Sequence, residues 1–190
     1  MTAILEALLI NVPETIEAER LVLRATRAGM GAVVAQAVRE SGRDLARWMA
    51  WAPEARKDAD SERHCREMQL KWHAREELDY CFHRRSDGAF LGKGGLHTID
   101  WRIPKFEIGY WIRSSCARQG FATEATLALV GMARSALDAN RIEISCDARN
   151  AASRRVAEKS GFELEGIRRR SRRDADGKLA DSCIYARIFA

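Results

Sequence analysis

Cysteine pairs are missing from this sequence. Its five cysteines (Cys65, Cys81, Cys116, Cys146 and Cys183) are odd in number, scattered, and never in a CxxC pair. That pattern excludes a disulfide framework and a cysteine zinc site, and reduced thiols are expected. His64, His73, His83 and His97 show no metal-ligand spacing, so no metal is expected. Long apolar runs are absent as well. Ala3 to Val12 is interrupted by Glu6 and Asn11, lacks a basic leader and is too short to span a bilayer. No membrane partner and a cytoplasmic location are expected. There is no internal repeat, low-complexity linker or break in composition, which makes residues 1–190 one domain with room for a proper core. A generally basic surface is missing too. The net charge is +5, yet Arg168, Arg169, Arg170, Arg172 and Arg173 carry five positive charges between them, so the rest is close to neutral.

What is present is an alternation of strand and helix patterns. Arg20 to Arg24 alternates apolar and basic residues and reads as a strand. Met30 to Arg39 and Asp60 to Glu77 read as helices, and Trp48, Met49 and Trp51 form an aromatic patch between them. Tyr80 and Phe82 lie on a strand paired through a Ser86-Asp87-Gly88 turn with Ala89 to Ile99. Gly92, Gly94 and Gly95 in the second of these strands signal a bulge or a close backbone approach. Pro104 to Ile112 is the next strand, Phe121 to Asp138 a long helix, and Arg141 to Cys146 a further strand. Asn150 to Lys159 is a short helix with Gly161 at the position of a left-handed cap. A final hairpin joins Phe162–Arg170 to Leu179–Ile188. This order indicates an α/β (α+β) domain with a mixed sheet covered by helices.

The centre of the chain is Ile108 to Ala125, IGYWIRSSCARQGFATEA. An apolar strand, a polar turn and the helix opening at Gly120-Phe121-Ala122 together make an anion site. The first N–H groups of a helix lack intrahelical partners and carry partial positive charge. Phosphate oxygens can accept from them where no side chain blocks the approach. Cys116 lies close to this turn, but no histidine accompanies it in sequence.

The stretch resembles the pyrophosphate loop of the GCN5-related N-acetyltransferases (GNAT), and more narrowly their RimJ/RimL-like branch, which acetylates ribosomal-protein N-termini. The resemblance runs from about Arg20 to Ile188 through ERLVLR (19–24), WMAWAP (48–53), LGKGGLHTID (91–100), FEIGYWI (106–112), GFATEA (120–125), NAASRRVAEKSGFELEG (150–166) and IYARI (184–188). Gly120 and Ala122 match the loop pattern, whereas Ala117 stands where the family has Gln or Arg. The resemblance implies a mostly antiparallel sheet of about seven strands, splayed at its two central strands, with a core over 20–188.

It also implies acetyl-CoA as co-substrate. The pyrophosphate would lie on Arg118, Gln119, Gly120, Phe121, Ala122 and Thr123, with Arg113 nearby. The pantetheine arm would enter the gap between the two central strands, where a backbone N–H near Trp111 or Ile112 faces the thioester carbonyl. Asn150 and Ser153 read structurally as a helix N-cap and its third residue. The family pattern gives Asn150 a pantetheine contact and Ser153 the proton for the leaving thiolate. Glu107, in the EIGYW motif, is the expected base, with burial on a strand as the means of raising its pKa. The branch's second base position falls on Arg172, which cannot accept a proton. Gly109 is a bulge position or a packing accommodation, and His97 is read as structural. Trp48 and Trp51 either anchor a loop or wall the acceptor site.

The acceptor expected is a protein N-terminal α-amine, that of a ribosomal protein in this branch. With a pKa near ~8, about a quarter of such amines is already neutral near cytoplasmic pH, against about 0.1% of lysines. A small amine (polyamine, aminoglycoside or amino acid) is the alternative acceptor. A catalytically silent acyl-CoA-binding module, or an RNA-docking one using the arginine cluster, is the alternative of another class. Ala117 and Arg172 motivate it. A homodimer is the default assembly.

Overall fold

The computed structural model describes residues 6–49, 51–52, 57–174 and 176–189. Among them the strands are β1 (Thr15–Glu17), β2 (Leu21–Ala25), β3 (Leu78–Arg84), β4 (Phe90–Asp100), β5 (Lys105–Ile112), β6 (Arg141–Asp147), β7 (Glu163–Arg173) and β8 (Leu179–Ile188). The helices are α1 (Gly31–Ala46), α2 (Asp58–Ala74), α3 (Phe121–Leu137) and α4 (Ala151–Lys159), with a 3-10 turn at Ser114–Cys116. The eight strands form one sheet in the order β1-β2-β3-β4-β5-β6-β8-β7. Every neighbouring pair is antiparallel except β5 and β6. The count exceeds the expected seven by β1, a three-residue edge strand too short to show a sequence period.

Each helix buries the stripe that its sequence offers. In α1 the buried positions include Val34, Ala35, Val38, Ser41, Gly42 and Leu45, and in α2 they are Ser61, Cys65, Met68 and Trp72. Both follow the three- and four-residue spacing of one helical face. The helix expected to end at Arg39 continues to Ala46, so the aromatic patch begins at a helix end. The two helices cross closely at Gly31, where an added methyl would stand 2.5 Å from the Glu62 backbone. Glu62 caps the start of α1, accepting from Gly29 N–H and Gly31 N–H. The larger core joins Leu23, Tyr80, Phe82, Phe106, Ile108, Ile142 and Tyr185 of the sheet to Phe121, Leu129 and Met132 of α3. A smaller core on α1 and α2 holds Val34, Val38, Leu45 and Cys65 against Phe90 and Trp111.

The expected turn signals hold. Gly88 and Gly161 sit at φ +72° and +77°. The β3–β4 register shifts at Phe82/His83, opposite Gly92, and methyls at Gly94 and Gly95 would strike Gly109 O and Leu78 O at 2.5 and 2.1 Å. The bulge suggested at Gly109 is absent: β4 and β5 pair without a break from Gly92↔Ile112 to His97↔Glu107. The irregularity falls instead after His97, where Thr98 adopts φ +50°.

Candidate active site

The central strands separate. β5 pairs with β6 only at Lys105↔Arg141, Phe106↔Ile142 and Glu107↔Glu143. Beyond Glu107, β5 keeps β4 as its neighbour while β6 keeps β8, which leaves a cleft between Ile108–Ile112 and Ile144–Asp147. Which amides face it follows from strand alternation. Arg113 N–H donates to Leu91 O on β4, and Gly109 O and Trp111 O also lie against β4 glycines. The backbone groups of Ile108, Tyr110 and Ile112 therefore point the other way, into the cleft. Of the two amides expected there, Ile112 fits, and Trp111 is turned to β4.

At the open end of the cleft stands the loop before α3. Arg118 (φ +61°) and Gly120 (φ +86°) take left-handed conformations, turning successive amides toward one side. Among the described residues the N–H groups of Gly120, Phe121, Ala122 and Thr123 find no acceptor, as the start of a helix requires. Arg20, at the entry to β2, braces this loop. Its Nε donates to Glu124 at 2.7 Å, its Nη1 to Gln119 O at 3.1 Å, and its guanidinium lies over the Phe121 ring. Nothing in the local pattern at 20 signals this contact, which spans about half the chain. The loop thus has cation support at Arg20 although Ala117 offers none. Arg113 is not part of it. That side chain pairs with Glu40 on α1 and donates to Phe90 O, while the Glu40 carboxyl is held below its usual pKa by Arg113 and Ser115.

The far wall of the cleft is the start of α4. Asn150 caps it, its side chain accepting from Ser153 N–H at 3.1 Å. Ser153 Oγ meets the Tyr110 hydroxyl at 3.0 Å. Burial pushes the Tyr110 phenol up to about 12, against the opposing effect of Ser153, so the pair stays protonated at neutral pH. Tyr110 was not among the expected site residues, because its place opposite α4 is not visible from the local sequence. Cys146 also contacts this group, and burial pushes its thiol up, which disfavours a thiolate nucleophile. All five cysteines are buried, and no disulfide joins them.

On the other face of β4 and β5 lies a cavity of about 460 Å³, roofed by α1 and α2. Its floor is the row Lys93, Gly95, His97 on β4 and Gly109, Trp111 on β5. Its walls include Val34, Val38, His64, Met68 and Trp51. The paired glycines, Gly95 opposite Gly109, leave the floor without side chains at its middle. Lys93 is almost fully buried, with Nζ 2.8 Å from Asp79 Oδ1. Burial, the largest effect, pulls its pKa down, but Asp79 together with Cys81 and Cys65 raises it, and the net direction is up. Glu77 at the rim pairs with Lys71 at 2.5 Å.

The remaining expected residues fall in different places. Glu107 is half-buried, on the same face of β5 as Gly109 and Trp111, at the last rung before the cleft opens. Trp51 lines the cavity with its ring 6.3 Å from that of Trp111. Trp48 does not line it. Its ring lies against Arg47, and its carbonyl accepts from Arg172 at 3.3 Å. Arg172 also stands 3.7 Å from the buried Asp147, which ties the last hairpin to the Trp48 loop. Asp174 accepts from Arg149 and from the amides of its own turn. No cluster of potential metal ligands occurs among the described residues, and none of their helices is long and apolar enough to cross a membrane.

Residues 20–163 match the family described as an acetyltransferase (GNAT) domain. Among curated proteins, the Bacillus subtilis "Putative ribosomal N-acetyltransferase YdaF" is 39% identical over 80 residues, covering 42% of this chain and 44% of that protein. "Probable N-acetyltransferase YjcK" from the same organism is 33% identical over 106 residues, covering 55% and 59%. The chain thus spans about half the length of the curated relatives it matches. Among solved structures, the ribosomal L7/L12 alpha-N-protein acetyltransferase RimL in complex with coenzyme A shares its fold. The TM-score is 0.87 and the identity 24%, with 93% of this chain and 98% of that chain covered. The microcin C7 self-immunity acetyltransferase MccE, in complex with acetyl-CoA and AMP, superposes at 0.84 with 19% identity, covering 90% and 93%. With its split sheet, its glycine-capped helix and a family match over three quarters of its length, the chain belongs to the GNAT acetyltransferases.

Proposed function

We propose that this protein transfers an acetyl group from acetyl-CoA directly to a primary amine, that of a protein N-terminus. The observation that carries the reading is the β5–β6 cleft, bounded by an amide-lined loop at one end and opening near a cavity of ligand size. The free amides of Gly120 to Thr123 suit a pyrophosphate, with Arg118 and Gln119 beside them and Arg20, paired with Glu124, bracing the loop. Ile112 N–H suits a thioester carbonyl, the group that would bear negative charge as the amine adds. Acetyl-CoA supplies an activated acyl group. The protein orients it, excludes water and moves protons. Ser153, relayed by Tyr110, supplies the proton to the departing thiolate, and Asn150 holds the start of α4 in place for it. Glu107 and His97 face each other across β5 and β4 and are available on the amine side.

Two neighbours in structure are named for α-amino acetylation of a ribosomal protein, which supports a protein N-terminus as acceptor here. Trp51 on the cavity wall and Trp111 on its floor would flank the first residue. The test is to incubate the protein with acetyl-CoA and a mixed panel, then read products by mass spectrometry. The panel holds peptides with free Ser, Ala, Met and Thr N-termini, lysine peptides with blocked N-termini, polyamines and aminoglycosides. Acetylated α-amines are expected. Acetylation of only the small amines would overturn the acceptor, and failure to bind acetyl-CoA would overturn the reaction.

A further inference from the structure

We propose that His97 is the group that takes the proton from the attacking amine, with Glu107 as the carboxylate that stabilises the imidazolium formed. The inference rests on the acetyltransferase reading above and names a catalytic residue for it. Three observations place the imidazole. His97 lines the cavity on its floor. Its Nε2 rests directly over Gly109, since a methyl group there would stand only 2.8 Å from that nitrogen. Its Nδ1 lies 2.9 Å from Thr98 Oγ1, and the left-handed turn at Thr98 ends the regular strand just beyond the ring.

With Nδ1–H donating to Thr98, the lone pair is on Nε2, the nitrogen that rests over Gly109. This accounts for Gly109 more directly than a bulge does, because any side chain at that position would displace the ring. Glu107 is the residue opposite His97 in the β4–β5 ladder. Side chains so placed have Cβ atoms about 5 Å apart on the same face of the sheet.

The other charged or titratable groups lining the cavity are Asp79, Lys93, Glu77 and His64, while Glu143 on β6, in register with Glu107, pairs with Arg141. Asp79 is paired with Lys93, and Glu77 with Lys71. The Glu107 side chain makes no hydrogen bond or ion pair among the described residues. It is therefore the carboxylate whose charge is available to an imidazolium. In the reaction the ammonium form of the acceptor gives a proton to Nε2. Nε2 passes that proton to solvent; the amine nitrogen then bonds to the thioester carbonyl carbon and gives its second proton to Nε2, the C–S bond breaks, and the thiolate receives its proton from the Tyr110–Ser153 pair. Solvent removes the proton from His97 and restores the one on Tyr110–Ser153. No redox step or further reactant is needed. An imidazole has the ordinary pKa closest to neutrality among such bases, which is where proton transfer to a catalytic group is most effective.

The experiment compares His97→Ala and Glu107→Gln with the parent protein. It follows acetyl-CoA binding by calorimetry and the pH dependence of kcat on an accepted amine. His97→Ala is expected to bind acetyl-CoA within about twofold of the parent and to lose roughly 100-fold or more in kcat. Its acid limb should lose the plateau, the rate climbing about tenfold per pH unit until the acceptor's own pKa. Added imidazole should restore turnover in proportion to its free-base concentration, which a merely structural role would not produce. Glu107→Gln should keep turnover within about tenfold and move the acid limb to lower pH, since the imidazolium loses its facing charge. His97→Ala with the parent pH profile, or with its rate lost and no recovery in imidazole, would overturn the proposal. So would a Glu107→Gln variant that alone abolishes turnover. A parent protein that binds acetyl-CoA but acetylates nothing would overturn the acetyltransferase reading itself and this inference with it. That result is distinct from an active parent whose His97 variant is equally active.

Discussion

The hydroxyl pair Tyr110–Ser153 is the smallest unit in the chemistry proposed for the cleft. Tyr110 is held to Ser153 Oγ at 3.0 Å, and burial keeps its phenol protonated far above neutrality. Tyr110→Phe removes the relay while leaving the ring in the core, and Ser153→Ala removes the terminal donor. Each is expected to lower kcat about 10- to 100-fold with acetyl-CoA affinity nearly unchanged, measured by steady-state kinetics beside calorimetry. Burial raises the phenol pKa at all three tyrosines, Tyr80, Tyr110 and Tyr185. Absorbance titration of the folded protein should therefore show no tyrosinate below pH 10, the ordinary value. The unfolded chain ionises first, so stability falls as pH rises past that value. A tyrosine titrating at its ordinary pKa in the native protein would contradict the packing of that ring. At this scale local sequence said little. Ser153 is legible as the third residue of a capped helix, but its partner lies 43 residues away on another strand.

At the scale of elements, the join between β5 and α3 is where acetyl-CoA binding is proposed. Gly120 caps α3 at φ +86°, a conformation that costs other residues about 1–2 kcal/mol, and Arg20 Nη2 would stand 3.2 Å from an added methyl. Gly120→Ala is expected to weaken acetyl-CoA binding about tenfold or more by calorimetry, while the melting temperature falls by only a few degrees. Arg20→Ala should weaken binding too, by releasing Glu124 and Gln119, although no motif marks that residue. An affinity unchanged in both variants would mean that the pyrophosphate lies elsewhere. The strand–glycine–helix join was legible in sequence because its chemistry is local: apolar strand, small residues, helix start. Arg113 shows the limit of such reading. It adjoins the loop in sequence, yet Glu40, 73 residues away, holds its side chain on the other side of the sheet.

For the molecule as a whole, the last hairpin is fastened to the β6 end by buried charge. Asp147 is only 2% exposed and accepts from Arg149, whose guanidinium also reaches Asp174. Arg149 holds the carboxyls of both Asp147 and Asp174 below the ordinary 3.8. A carboxyl lowered on folding stabilises the protein above its unfolded pKa, and that contribution disappears as pH falls through its folded value. Urea unfolding of the parent should therefore show stability dropping below pH about 4. Asp147→Asn should be less stable at neutral pH and lose less on acidification. An equal acid slope in the two would place the pH-sensitive stability elsewhere. The order of strands and helices from β2 to β8, the glycine turns and the strand–glycine–helix join proposed to hold phosphate were legible in the sequence alone, whereas the edge strand β1 was not. They arise from backbone preferences and from hydrophobic spacing over a few residues. Only the tertiary structure decided which amides of β5 face the cleft, that Trp51 rather than Trp48 lines the cavity, that Arg20 braces the loop, and that His97 stands over Gly109 opposite Glu107. Those relations depend on strand register and on pairs distant along the chain, and neither is encoded in any short stretch of residues.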